Sequence, residues 1–138
     1  MAYWLAKSEP DTWSWADQEK AGTTYWDGVR NAQASNNLKA MRTGDSVLFY
    51  HSGDEKRIVG IVKVVREYYP DPSDPAGRFG MVDLAFDRPF VRPVTLAEIK
   101  ADPEFADFIL VRHSRLSVMP VTEGQWRRLC ALGGTRPD

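Results

Sequence analysis

The chain has 138 residues and a formal net charge of −1 at pH 7, with 18 Lys and Arg residues against 19 Asp and Glu residues. This length is typical of one domain, and a hydrophobic fraction of 43% is enough for one sizeable core. The single cysteine excludes an internal disulfide and a cysteine-based metal cluster. A net charge near zero argues against broad nonspecific binding of duplex nucleic acid, which needs many phosphate contacts.

The compartment is predicted from what the sequence lacks. The first residues show neither the basic nor the apolar segment of a signal peptide. No apolar run approaches the ~20 residues that span a bilayer. Together with the lone cysteine, which is typical of a reducing compartment, these features predict a cytoplasmic protein with no membrane contact. We expect a single domain over residues 1–138.

The N-terminal third predicts strands separated by short helices. Tyr3–Ala6 is a short, aromatic, strand-like run. Ser14 has the sequence context of a capping-box helix start, and Gly22 that of a helix end. Ser46–Tyr50 predicts the next strand after a turn.

The middle of the chain predicts two long strands. Arg57–Tyr69 is rich in β-branched residues, and its first half carries apolar residues on both faces, as in a strand buried on both sides. Gly60 within it indicates a bulge or a close backbone approach. Met81–Phe90 alternates cleanly between apolar and polar residues, and Pro89 and Pro93 are predicted to end this strand.

The C-terminal third predicts short elements. Thr95 and Thr122 each begin a capping box, and Gly133 ends the second of these helices. Ile109–Arg112 and Leu116–Met119 are short apolar runs between breakers, and we predict both as strands. The succession of elements predicts an α+β fold with a curled or barrel-like β-sheet and short flanking helices.

The segment Tyr25–Leu38 combines aromatic side chains, a glycine, an arginine and four amides, a mixture that core helices and ordinary solvated helices both disfavour. Asn31 is placed to cap a helix whose N-terminus favours an anion. Amides donate and accept hydrogen bonds at once, which suits the edge of a nucleobase. The alternative is a polar loop followed by an ordinary surface helix. The predicted packed face consists of Ala34, Leu38 and Met41, and the predicted amide face consists of Gln33, Asn36 and Asn37.

Motifs for catalysis or metal binding are weak. Neither of the two histidines lies in a metal-binding spacing. Cys130 falls on the apolar face of the last helix, which predicts a core residue. A pair of Ser52 with His51, or of Glu9 with Asp27, is compatible with the spacing but has no supporting motif.

Six motifs follow one another in order along nearly the whole chain. They are Tyr3–Leu5 with Lys7–Pro10, Trp26–Asn31 with Gln33–Ala34 and Asn36, Gly44–Asp45 with Phe49–Ser52, Ile58–Gly60, Tyr69–Asp71, and Arg115–Val118 with Pro120–Val121. The ordered set resembles the EVE domain family. This resemblance implies a PUA-like fold, in a group that also contains the YTH readers of methylated adenine in RNA. One position departs from the pattern, since Ser35 stands where a basic residue is expected, which weakens the predicted phosphate contacts of that helix.

The resemblance implies a non-catalytic module that recognises a modified nucleobase in DNA or RNA. Methylated or hydroxymethylated cytosine and methylated adenine are the implied bases, with no cofactor and no metal. Restriction or RNA-modification systems are implied as further partners, and a monomer is the expected state. The alternative is a small enzyme acting on a nucleotide-like ligand in the same pocket, and a third reading is a partner-binding protein with a vestigial pocket.

The resemblance also implies which residues form the pocket, with Trp26 stacking on the base. The residues implied for base binding are Ser8, Glu9, Trp26, Gly28, Val29, Asn31, Gln33, Asn36, His51 and Ser52. Those implied for phosphate binding are Lys7, Arg30 and Arg115. Three have structural alternatives: His51 as a hydrogen-bonded strand-end residue, Arg115 paired with an acid, and Glu9 as a local cap. Trp4 and Trp126 are predicted to lie in the core.

Overall fold

A computed structural model describes residues 1–138 as six strands in one curled, open sheet flanked by five short helices. The strands are β1 (Tyr3–Ser8), β2 (Thr23–Tyr25), β3 (Ser46–His51), β4 (Arg57–Pro70), β5 (Gly80–Thr95) and β6 (Val118–Val121). The helices are α1 (Trp15–Ala21), α2 (Ala32–Ala40), α3 (Leu96–Ala101), α4 (Ile109–Arg112) and α5 (Glu123–Leu132), with a 3₁₀ turn at Pro103–Phe105. The strand order is β2-β5-β4-β3-β1-β6, and only the pair β1–β3 is parallel. The predicted α+β fold is confirmed.

Helix starts are confirmed wherever a capping side chain marks them in the sequence. Ser14 and Thr122 both form complete capping boxes at the starts of α1 and α5. Asn31 Oδ1 accepts a hydrogen bond from the Ala34 N–H at the start of α2, and Thr95 caps α3 in the same way. Each cap satisfies a backbone donor of the first turn, so a short local pattern fixes where the helix begins.

The prediction of a strand at Ile109–Arg112 is wrong, because this run forms the single turn α4. The N–H groups of Val111 and Arg112 both donate to the Phe108 carbonyl, and Leu110 is buried in the core beside Phe105 and Phe108. A short apolar run has no period that separates a strand from a buried helical turn. Packing among these side chains decides the conformation.

Two strand boundaries also differ from the prediction. The last strand begins at Val118 instead of Leu116, because the Leu116 N–H donates to the His113 carbonyl in a turn. β5 runs on through Pro89 and Pro93 to Thr95. Beyond Ala85, β5 has no β2 neighbour, so that edge of the strand needs no hydrogen-bond donors. On its other edge the pairing with β4 shifts register, so the N–H groups that the two prolines lack interrupt no regular hydrogen-bond ladder. The three-residue strand β2 was not predicted, since it is too short to show a pattern.

The sheet carries a hydrophobic cluster on each face. Leu5 and Leu48 of the paired strands β1 and β3 contribute to the cluster that contains Trp126 of α5. Their neighbours Trp4 and Phe49 point to the opposite face and join the cluster covered by α2. This alternation explains why every residue of β3 is buried. The core positions predicted for Trp4, Trp126 and Cys130 are confirmed. No helix has the length and apolar character needed to cross a membrane.

Gly60 of β4 lies against the indole of Trp15, which confirms the close approach predicted at this glycine. A Cβ added at Gly60 would lie 2.3 Å from Trp15 Cζ2. The indole is held on its other sides by Phe49 and Phe86, at ring-centroid distances of 5.1 and 4.9 Å. Glycine at this position therefore lets α1 dock on the sheet through Trp15.

We expect Gly60→Ala to lower the free energy of unfolding by about 1–3 kcal/mol, since the added methyl group overpacks the space occupied by the Trp15 ring. Gly124→Ala on α5 is the matched control, because a Cβ there meets nothing within 4 Å. In the control the substitution should raise the stability by about 0.4–1 kcal/mol through a more restricted unfolded chain. Urea denaturation of both variants checks the opposite signs, and equal effects would contradict the packing argument.

Candidate functional site

A cavity of about 520 Å³ opens where the end of β1, the segment before α1 and the loop between β2 and α2 meet. Three aromatic residues, Trp13, Tyr25 and Trp26, line it together with charged and amide side chains. This volume lies within the range of small-molecule sites, although more of the lining is polar than in most of them. The sequence pointed to Trp26 alone, because Trp13 and Tyr25 reach the cavity only through the fold.

The two indoles of the cavity are fixed by contacts from behind. Trp26 is only 8% exposed, and its ring meets Phe49 edge to face at 5.5 Å. Trp13 Nε1 donates to Gln18 Oε1 at 2.9 Å. Gln18 is fully buried, and its Nε2 donates to the Gly22 and Leu84 carbonyls at 3.1 Å each. The orientation of Trp13 therefore depends on a buried amide that ties α1 to β5.

The loop that carries Trp26 is held by the buried carboxylate of Asp71 in the β4–β5 connection. Asp71 Oδ2 accepts from the Gly28 N–H at 2.8 Å and from Arg30 Nη1 at 3.1 Å. Asp71 Oδ1 accepts from the Ser73 N–H at 2.8 Å and from Ser73 Oγ at 2.6 Å. Burial alone would raise the pKa of Asp71, but these hydrogen bonds outweigh it and lower the pKa to about 2. Gly28 has a φ of +78°, a left-handed conformation that glycine adopts without strain.

The charged and hydroxyl groups at the end of β1 also line the cavity. Lys7 Nζ donates to the Ser114 carbonyl at 2.8 Å, and burial lowers the pKa of this amine. Ser8 Oγ donates to the Trp13 carbonyl, so its lone pairs face no further protein donor. Glu9 is exposed at the rim. Lys7 thus keeps two of its three protons for a ligand, and Ser8 can act only as an acceptor.

Eight of the thirteen predicted site residues line this cavity and five do not. Those that line it are Lys7, Ser8, Glu9, Trp26, Gly28, Val29, Arg30 and Asn31, and those outside it are Gln33, Asn36, His51, Ser52 and Arg115. The guanidinium of Arg30 is engaged by Asp71 and by Ser73 Oγ at 2.9 Å, and its predicted role in phosphate binding stays a prediction.

His51 serves a structural purpose, which corrects its predicted place in the pocket. Its Nε2 accepts from the Trp15 N–H at 2.9 Å, and its Nδ1 lies 2.8 Å from Glu55 Oε1. The ring is therefore turned away from the cavity, as in the alternative of a hydrogen-bonded strand-end histidine. Ser52 follows it along the chain, and its N–H donates to the Ser8 carbonyl.

The three residues of the amide face predicted for α2 differ in exposure: Gln33 and Asn36 are exposed, and Asn37 is buried. Asn36 does not line this cavity, whereas the buried Asn37 donates from Nδ2 to the Val118 carbonyl at 2.7 Å. Ser35 is 3% exposed, with its Oγ 3.5 Å from Tyr68 Oη. A basic side chain expected at position 35 would therefore point into the protein. Gln33 lies on a neighbouring groove together with Arg115.

The cysteine and histidine considered for nucleophilic or metal chemistry are buried or already hydrogen-bonded within the protein. Burial raises the pKa of the Cys130 thiol to about 11, which keeps the sulfur protonated and unreactive at neutral pH. The Ser52–His51 pair does not form, because both nitrogens of His51 are already engaged. No three His, Cys, Asp or Glu side chains lie close enough together to hold a metal ion.

The ordered motifs of the sequence correspond to a known family. The family model described as EVE domain matches residues 2–132. The chain belongs to the EVE domain family. Among curated relatives, human thymocyte nuclear protein 1 is 33% identical, over 99% of this chain and 76% of the relative. Its chicken counterpart is 36% identical, over 98% of this chain and 70% of the relative.

Solved structures of EVE-type proteins superpose closely on this chain. A Rhodopseudomonas palustris protein solved by NMR is 50% identical with a TM-score of 0.92, over 97% of this chain and 94% of that one. Human THYN1 in complex with DNA containing 5-methylcytosine is 33% identical with a TM-score of 0.93, over 99% of this chain and 100% of that one. An ASCH protein from Zymomonas mobilis, 11% identical with a TM-score of 0.58, shares only the fold.

We expect Asp71→Asn to lower the free energy of unfolding at pH 7 by about 2–4 kcal/mol. Each carboxylate oxygen faces two donors, so the amide nitrogen of asparagine would meet donors at either position. Since the pKa of Asp71 lies at about 2 in the folded protein and near 3.8 when unfolded, the carboxylate contributes its stability above pH 3.8. That contribution is lost as the pH falls through 2.

Urea denaturation between pH 7 and pH 2 checks this prediction. The stability difference between wild type and Asp71→Asn should shrink as the pH falls below about 4, because the wild-type carboxylate becomes protonated. Asp107→Asn is the control, since that side chain is 98% exposed and should change little at any pH. A difference that stays constant down to pH 2 would contradict the assigned pKa.

Proposed function

We propose that this protein binds DNA containing a modified cytosine, holds the modified base in the aromatic cavity, and catalyses no reaction. The observation that carries the proposal is the match between this cavity-bearing fold and human THYN1, which was solved with 5-methylcytosine-containing DNA. The two proteins superpose over 99% of this chain. Fold likeness alone would leave the ligand open, so the argument continues from the residues that line the cavity.

The aromatic lining suits a base that has left the helical stack. A base inside duplex DNA must rotate out before a pocket can enclose it, and aromatic side chains replace part of the lost stacking. Trp13 and Trp26 are held in place by Gln18 and Phe49, so their rings are oriented before a ligand arrives. Contact with such a ring contributes roughly 1–3 kcal/mol per base. Tyr25, 60% exposed, extends the apolar surface at the rim.

The polar lining matches the hydrogen-bonding edge of cytosine. That edge presents an amino donor beside two acceptors, so its pocket must offer both kinds of group. Glu9 and Asp27 are exposed carboxylates able to accept from the amino group. Asn31 uses Oδ1 to cap α2 and leaves Nδ2 free to donate, and Lys7 retains two protons. Acceptors and donors are thus both available.

A preference for 5-methylcytosine over cytosine must come from the shape of the cavity. Burial of one methyl is worth about 0.8 kcal/mol, which corresponds to roughly a fourfold gain in affinity. A larger preference requires that the unmodified base leave a gap against the indoles, and the limit for such a pocket is near 200-fold. We assign this role to Trp13 and Trp26, because both rings are fixed and cannot close over a smaller base.

We expect the wild-type protein to bind a 5-methylcytosine duplex at least about fourfold more tightly than the same duplex with cytosine. Trp13→Leu and Trp26→Leu, which keep apolar volume but remove the ring, should weaken binding about 5- to 150-fold. Fluorescence anisotropy with labelled oligonucleotides measures both effects. Hydroxymethylcytosine and N-methyladenine, in DNA and in RNA, are the competing ligands in the same series.

Tyr3→Leu is the control, because this half-buried ring stacks on Trp126 in the cluster on the opposite face of the sheet and lies outside the cavity. Thermal denaturation establishes that each variant is folded before its affinity is interpreted. A folded Tyr3→Leu protein should retain the preference for the methylated duplex. Equal affinity of the wild type for methylated and unmethylated DNA would defeat the proposal.

The absence of catalysis is tested on the bound DNA itself. After prolonged incubation with an equal amount of protein, the methylated oligonucleotide should be recovered with unchanged mass. Mass spectrometry of the strands and their nucleosides makes this measurement. A change in the mass of the modified nucleoside would establish an enzyme acting in the same cavity.

A further inference from the structure

A second groove, of about 700 Å³, lies directly beside the base cavity. It runs between α2 and the segment that connects α4 to β6. Asn31 lines both the groove and the cavity. Leu116 lines the groove, and the next residue, Ser117, lines the cavity. The two compartments therefore adjoin, as sites for neighbouring units of one polymer must.

The groove is positively charged, although the whole chain has a net charge of −1. Arg112, Arg115 and His113 line it, and no Asp or Glu does. The cavity is balanced by contrast, because Lys7 and Arg30 there are matched by two carboxylates. Charge is therefore segregated: the compartment suited to a base is neutral, and the adjoining groove is cationic. This pattern corresponds to a nucleotide, whose base is neutral and whose phosphate is anionic.

The groove arginines are available to a ligand. Arg115 is exposed and pairs with no carboxylate. Arg112 lies 3.9 Å from Asp107, whose side chain is 98% exposed, and an ion pair of that kind is weak in water. Arg30 differs from both, because its guanidinium is fixed on the buried Asp71. Arg112 also donates to the Ala106 carbonyl at 3.3 Å, so both groove arginines have fewer protein partners than Arg30.

The rest of the groove fits a nucleotide beyond its phosphate. Gln33 donates from Nε2 to Asn37 Oδ1 at 3.3 Å, which leaves its Oε1 and second N–H without a partner. An amide with a free donor and a free acceptor can read a base edge. Leu116 and Pro120 supply apolar surface for a sugar or a base face.

We propose that the groove binds the nucleotide adjacent to the modified base, with Arg112 and Arg115 on its phosphates and Gln33 on its base edge. The proposal rests on the function proposed above, because it takes the modified base in the cavity as its starting point. It gives the protein a preference for the base that flanks the mark. It also makes a DNA strand a far better ligand than an isolated modified nucleoside.

The test compares Arg112→Gln and Arg115→Gln with Arg127→Gln. Arg127 is the matched control because its side chain is 61% exposed, as that of Arg112 is, and it lines neither the groove nor the cavity. The affinity of each protein for a 5-methylcytosine duplex is measured by anisotropy at several salt concentrations. Each groove variant should bind more weakly and reduce the slope of log K against log salt by about 0.9, the value for one phosphate contact.

Two further readouts separate the groove from the cavity. The ratio of affinities for methylated and unmethylated duplex should be the same in the groove variants as in wild type. Binding of free 5-methyldeoxycytidine, followed by NMR, should also be unchanged, because the nucleoside occupies the cavity alone. Gln33→Ala should reduce the spread of affinities among duplexes that differ only in the base beside the mark.

The outcomes distinguish the two proposals. If wild type prefers the methylated duplex but both arginine variants behave like Arg127→Gln, the groove proposal is overturned and the proposed function stands. If wild type shows no preference for the methylated duplex, the proposed function fails, and the groove proposal fails with it. Polyglutamate and unlabelled DNA of equal total charge are compared as competitors for the labelled duplex. If polyglutamate displaces the duplex as effectively as the DNA does, the groove proposal is overturned in favour of an acidic protein partner.

Discussion

The candidate site depends on one buried carboxylate. Asp71 lies far along the chain from the loop that carries Trp26, yet one of its oxygens accepts two hydrogen bonds from this loop. The other oxygen accepts two from Ser73 within the β4–β5 connection. Trp26 and Val29 of this loop are buried in the cluster covered by α2, whereas Gly28 between them has a left-handed backbone and no side chain to pack. The carboxylate anchors that backbone, and the wall of the cavity takes its shape from it.

The fold could be predicted where a local signal decides the structure. The caps at Ser14, Asn31 and Thr122 each satisfy donors within three residues, so their effect is visible in the sequence. Gly60 in the sequence predicted that another part of the chain packs closely against β4, but it did not indicate that the contact is with Trp15. The strand β2 was missed because its pairing partner β5 is distant in sequence. The turn α4 was misassigned because a four-residue apolar run has no period that separates a strand from a helical turn.

The candidate site was predicted less completely for a related reason. A motif indicates which residues lie near one another, but not which way each side chain turns. His51 occupies a motif beside the cavity and yet faces Trp15 and Glu55. Trp13 lies in no motif and yet lines the cavity, because the buried Gln18 fixes its ring. Burial of Asn37 and Ser35 likewise follows from the rotation of α2 against β6, which helical spacing alone leaves undetermined.

The separation of charge between cavity and groove has a consequence for search along a genome. Unmodified sites vastly outnumber marked ones, and a protein covered with positive charge would spend its time on them. Under the proposed function, a net charge of −1 gives this protein little overall attraction for DNA, and the arginines of one groove supply a local attraction. An encounter through that groove presents the adjoining cavity to the strand. Residence then depends on whether a base fills the cavity.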